Sequence, residues 1–235
     1  MAQLTVETFA RELASALGSR LVTLLLYGSA ARGTPEPPRG ADTLLICDAV
    51  DEPLFAAIEP AVRAWTRAGH PAPLIFTERE WRDSSDAFPI EYEEIRHAHR
   101  LLAGRDPWPG ISVQRDDQRR QLEHELAGKL VRLRQAYAAL QGDPKRLSEA
   151  IAGSAAGFFT MLRSALRLSG RTPPLDHDDL VREAAALIGF PAAALDDVLA
   201  HAAGRTRLAL TAHDPRAAAY LAAVARTAEY VNRLT

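Results

Sequence analysis

Apolar residues recur at helical spacing near the start of the chain. Val6, Phe9, Ala10, Leu13 and Leu17 form one stripe and Gly18 closes it, which predicts a helix over residues 4–17. The next run, RLVTLLLY (20–27), is almost continuously apolar and stops at Gly-Ser, the pattern of a buried strand. GTPEPPRG (33–40) holds too much proline and glycine for regular structure and is expected to be loop. ADTLLICD (41–48) reads as a second buried strand. Asp51 and Pro53 on one side and Gly69 on the other bracket a helix over 54–68. PAPLIFT (71–77) reads as a third strand and 78–84 as a short helix or turn. FPIEYEEIRHAHRLLAG alternates in part, which predicts a strand around 90–97.

The pattern changes after a second breaker cluster, GRDPWPG (104–110). From Asp116 onward it is almost wholly helical, with helices expected over 115–140, 145–169, 177–188, 192–203 and 214–233. QGDP, SGRTPP, GFP and HDP separate them as turn or cap signals. The organisation is an α/β unit of residues 1–110 followed by a helical bundle of residues 111–235, with no strong internal repeat.

Composition narrows the class. At 235 residues with 47% hydrophobic and 25% charged, the chain is expected to be a globular protein with a substantial core. A net charge of −2 argues against a general polyanion binder, so nucleic acid is not the expected partner. Arginine far outnumbers lysine, which leaves room for a local phosphate contact. Cys47 stands alone in an apolar run, so no disulfide framework exists, and a buried structural thiol is expected rather than a nucleophile. The N-terminus lacks a signal-peptide pattern and no segment has the length of a membrane span, so a cytoplasmic location is expected.

The most informative chemistry lies in LYGSAARGTPEPPRGADTLLICD (26–48). A strand that stops at Gly28-Ser29 exposes backbone N–H groups in a turn, and small side chains let a phosphate approach them. Ser29 adds a hydroxyl donor, and Arg32 adds positive charge for the same anion. Asp42 opens the neighbouring strand, where a carboxylate would stand beside those phosphates with Mg²⁺ between them.

This order of strand, Gly-Ser, Ala-Arg-Gly, loop and a strand beginning with Asp resembles the DNA polymerase beta-like nucleotidyltransferase superfamily. DAFPIEYEEIRHAHRLLAGRDPW also resembles the middle region of bacterial stand-alone nucleotidyltransferases, including those related to antibiotic adenylyltransferases. The resemblance covers residues 4–108 and, more loosely, the bundle. It implies an α+β fold, with a small mixed-sheet domain ahead of the helices. It also implies a site in which Gly28, Ser29 and Arg32 hold a nucleoside triphosphate and Asp42 serves as metal ligand and catalytic residue.

The motif is incomplete. In active members an Asp-x-Asp pair and a third carboxylate on a nearby strand hold two metal ions. Asp42 matches the first aspartate, but the second position is Leu44. APLIFT (72–77) holds no acid, and neither Glu78 nor Asp48 restores the pattern by spacing. Metals supply most of the charge stabilisation in phosphoryl transfer. The expectation is therefore a degenerate nucleotidyltransferase that binds a nucleotide, a phosphorylated ligand or a protein partner, including a second copy of itself. The alternative is an active, Mg²⁺-dependent enzyme that moves a nucleoside monophosphate to a small-molecule or protein hydroxyl. A toxin–antitoxin component is a third, weaker reading.

Other clusters carry less. Glu91, Glu93, Glu94, His97 and His99 are expected to be a solvated strand or a salt-bridge network rather than a metal site. RTPPLDH (171–177) has the Arg–His separation of some HEPN-type ribonucleases, but Pro-Pro marks it as a connection between helices. Asp176, Asp178 and Asp179 precede an apolar run and read as a helix start. Trp65, Trp81 and Trp108 are too scattered in sequence for a stacking platform.

Overall fold

The computed structural model describes residues 5–32 and 40–234. The chain divides into two compact units, Met1–Gln114 and Arg115–Thr235. Among the described residues no helix is long and apolar enough to cross a membrane.

The first unit opens with α1 (Val6–Leu17), capped by the Thr5 side chain accepting from Thr8 N–H. The expected start at residue 4 lies outside the described residues. Next come β1 (Leu21–Tyr27), β2 (Asp42–Cys47), α2 (Glu52–Arg67), β3 (Leu74–Thr77), α3 (Glu78–Asp83), α4 (Pro89–His97) and β4 (His99–Gly104). The loop expected over 33–40 lies outside the described residues except at Gly40. The strands form one mixed sheet in the order β3-β2-β1-β4, with β1 antiparallel to both neighbours and β2 parallel to β3.

Both faces of this sheet are covered, which is why β1 and β2 read as continuous apolar runs. On one face Leu24, Leu26, Leu45 and Cys47 pack with Phe9 and Leu13 of α1 and Leu54, Ile58 and Trp65 of α2. On the other, Leu25, Leu44 and Ile46 pack with Trp81 of α3 and Tyr92 and Ile95 of α4.

The strand expected around 90–97 is a helix. Pro89 sits in the first turn of α4, and Pro89, Ile90, Tyr92 and Ile95 are its buried residues. Glu91, Glu93 and Glu94 fall between them and blur the period, and the strand pattern begins only at His99.

The second unit is all helical. It contains α5 (Arg115–Leu140), α6 (Pro144–Leu168), α7 (His177–Ile188), α8 (Asp196–Ala202) and α9 (Pro215–Asn232). Asp143, Asp176 and Asp214 cap α6, α7 and α9 through their carboxylates, and Pro144 and Pro215 stand in first turns. The helix expected over 192–203 begins as a 3₁₀ turn, Ala192–Leu195, after Pro191 and becomes α-helical only at Asp196. Phe158, Phe159, Leu162 and Leu166 of α6 are buried, as are Tyr220 and Val224 of α9.

Candidate ligand site at the Gly28 turn

β1 ends at Tyr27 and the chain turns at once into a 3₁₀ segment, Gly28–Arg32. Gly28 has φ +74°, which a residue with a side chain rarely adopts. Its N–H donates to the Ala98 carbonyl at 2.9 Å, so the strand end is tied to the residue just before β4 and this donor is not free for an anion.

The antiparallel register sets Asp42 directly opposite Tyr27. A methyl group added at Gly28 would lie 3.3 Å from Asp42 Oδ2, so the missing side chain is what lets the carboxylate lie against the turn. Partial burial raises the Asp42 carboxyl above the ordinary aspartate range. Burial likewise pushes the Tyr27 phenol well up, and the negative charges of Asp42 and Glu91 push it further. Glu91 of α4 thus acts electrically on the same phenol as Asp42.

Arg32, expected to face a phosphate, has its Nη2 3.1 Å from Glu94 Oε2, and both side chains are largely covered. Glu91 and Glu94 lie three apart on α4, so they share one side of that helix. Read as a strand, the segment would have put them on opposite faces. Ser29 follows Gly28 as the second residue of the 3₁₀ segment.

Leu44 lies two residues beyond Asp42 and therefore on the same face of β2. It has no exposed surface and is enclosed by Leu25, Ile46, Trp81, Tyr92 and Ile95. The second position of the expected acidic pair is therefore part of the core.

The other acids considered lie elsewhere. Cys47 pairs with Thr77 at the far end of β2, five residues and about 17 Å along an extended strand from Asp42. Glu78, just after Thr77, pairs with Arg82 and Arg105 at 2.6 Å each. Asp48 is bound by Arg20. Among the described residues, no group of three or more His, Cys, Asp or Glu side chains is placed to hold a metal ion. Neither Glu78 nor Asp48 therefore stands where a second carboxylate beside Asp42 would.

The remaining candidates have structural partners. His97 Nδ1 lies 3.5 Å from Glu93 one helical turn away. His99 Nδ1 lies at 2.9 and 3.0 Å from the Ile95 and Arg96 carbonyls, and its Nε2 accepts from the Trp108 indole at 3.2 Å. Arg171 lies 3.6 Å from Glu183, while His177 stacks on Phe159. Asp176 accepts from the Asp178 and Asp179 amides, as a helix start requires. Trp81 and Trp108, distant in sequence, meet edge to face at 5.4 Å, with Trp81 stacked on Tyr92 in the core.

Sequence reasoning missed Tyr27, the Ala98 carbonyl and the placing of Glu91 and Glu94. Pro89 in a first turn and the Glu93/His97 spacing were the available signals for the helix that carries both acids.

No family model matches this sequence, and no curated protein does. Among solved structures the chain is similar to the crystal structure of spectinomycin adenyltransferase AAD(9) from Enterococcus faecialis with ATP and spectinomycin. The identity is 10%, the match covers 96% of this chain and 97% of that one, and the TM-score is 0.58. At that identity the likeness establishes the fold: this chain has the α+β nucleotidyltransferase fold, with a mixed four-stranded sheet and a helical region.

Proposed function

We propose that this chain is a catalytically degenerate nucleotidyltransferase-fold protein. Its N-terminal domain, residues 1–110, binds a nucleotide or another phosphorylated ligand at Gly28, Ser29 and Asp42, and residues 111–235 form a separate helical domain. The observation that carries the degeneracy is Leu44. It is fully buried among apolar side chains, so the position is committed to packing and not merely short of a carboxylate. A single aspartate leaves the two-ion arrangement without its ligands, and no transfer step is assigned to the site. The solved neighbour contains ATP, which supports a nucleotide as the ligand class. Arg32 is engaged by Glu94 and the Gly28 N–H by the Ala98 carbonyl, so the Ser29 hydroxyl carries more of the anion contact than either.

A second reading, an active Mg²⁺-dependent transferase with relocated carboxylates, is favoured by one observation: Glu91 stands one turn before Glu94 on the side of α4 that meets the Gly28 turn through Arg32. Titration calorimetry with ATP, with and without Mg²⁺, on the wild type, Ser29→Ala and Asp42→Ala tests the binding. A pyrophosphate-release assay tests turnover. The expected result is ATP binding that Ser29→Ala weakens, without pyrophosphate release. Turnover that Asp42→Ala and Glu91→Gln abolish would establish the second reading. No ATP binding under any condition would remove ATP as the ligand and leave another phosphorylated ligand or a protein partner.

A further inference from the structure

Trp65 is fully buried and stacked between two rings, Phe9 at 4.3 Å and His70 at 3.7 Å. The end of α2 creates this stack. Gly69 N–H donates to the Thr66 carbonyl at 3.0 Å and His70 N–H to the Trp65 carbonyl at 3.3 Å, the paired bonds that fold a chain back over a helix terminus. His70 is thereby returned onto Trp65. Its Nδ1 then accepts the Ala41 N–H at 3.0 Å. Gly40 fits tightly against the same residue: a methyl group there would lie 2.7 Å from His70 Cα and 2.9 Å from Nδ1. Ala41 is fully buried, and the next residue is Asp42, the first of β2.

We propose that His70 is a positioning residue for Asp42, holding the entry of β2 through an imidazole nitrogen that accepts the Ala41 N–H. The inference rests on Asp42 belonging to the ligand site. A backbone N–H can only donate, so Nδ1 must be unprotonated and the neutral ring carries its proton on Nε2. Protonating Nδ1 removes the acceptor and leaves a buried N–H without its partner, which destabilises the strand entry. Among the described residues the charged ones nearest these contacts in sequence are Glu7 and Arg11 on α1, Arg67 on α2 and Asp42 on β2. None of them hydrogen-bonds or ion-pairs with the ring, whose partners are the Ala41 amide and the Trp65 face. The ring's protonation therefore reads directly on Ala41.

Nuclear magnetic resonance on the full chain tests this without any ligand. In the wild type, imidazole ¹⁵N shifts should place the neutral proton on Nε2. Ala41 amide protection should fall about tenfold as the ring protonates, the equivalent of one net hydrogen bond. His70→Asn supplies a non-titrating acceptor and should keep Ala41 protected across that pH range. His70→Phe keeps a stacking ring but no acceptor. It should lower protection at every pH and move the Asp42 backbone amide resonance away from its wild-type position, which His70→Asn restores. A proton on Nδ1 of the neutral ring, or Ala41 protection indifferent to ring titration in the wild type, would overturn the proposal. So would full Ala41 protection in His70→Phe. Failure to bind ATP with these results in place would count against the ligand reading alone.

Discussion

Arg32 Nη2 lies 3.1 Å from Glu94 Oε2, with the two side chains only 10% and 13% exposed. The pair joins the turn after β1 to α4, and removing one partner leaves the other charge largely covered. Arg32→Ala and Glu94→Ala should each destabilise the protein, with the double variant less destabilised than the sum. A denaturant double-mutant cycle should give a coupling of about 1–3 kcal/mol. Additive effects would mean that the pair contributes nothing of its own.

Gly28→Ala places a side chain in the left-handed region and presses a methyl group on Asp42 Oδ2. The backbone cost alone is about 1–2 kcal/mol. Denaturation should show a loss of at least that size, with weaker ATP binding because the turn that carries Ser29 is distorted.

Leu44→Asp writes the expected acidic pair back into the sequence. Burying a carboxylate in the space of a leucine among Trp81, Tyr92 and Ile95 should cost about 4 kcal/mol or more. No pyrophosphate release should appear. A stable variant that gains turnover would show that Leu44 was the one obstacle to catalysis.

Asp42 gives a pH signature. Burial raises its folded-state pKa, so the folded protein binds this proton more tightly than the unfolded chain, and stability falls as pH rises through the Asp42 titration. Asp42→Asn should therefore melt at a higher temperature than wild type at pH 7. The advantage should shrink with acidification and vanish below the ordinary aspartate value of 3.8. Melting curves of both proteins between pH 3 and pH 7, values that bracket that titration, check the sign.

Cys47 is fully buried and its thiol is pushed up to about 11, chiefly by burial. Iodoacetamide should leave the native protein unmodified at pH 8, where an exposed cysteine with a pKa of about 8.5 reacts. It should label the protein fully in denaturant, and mass spectrometry reads the difference.

Much of the fold follows from local rules and was legible in the sequence. α5 and α7 fall on the residues where helices are expected, because acidic caps and apolar spacing act over one turn. β1 and β2 announced themselves as continuous apolar runs because both faces of the sheet are covered. Gly28 and Asp42 stood out through their spacing, and the antiparallel register sets Asp42 opposite Tyr27 beside that glycine. Local pattern failed at α4, where three glutamates among the buried positions hid the helical period.

What only the tertiary structure decided is which charges meet at the turn. Sequence alone fixes that position 44 holds no carboxylate. Packing against α3 and α4 decides that this position is interior. Strand order and the helical state of 89–97 bring Glu94 to Arg32 and Glu91 within electrostatic reach of Tyr27, across more than sixty residues of chain. Such long-range pairings depend on how separate elements pack, and no window of sequence encodes them.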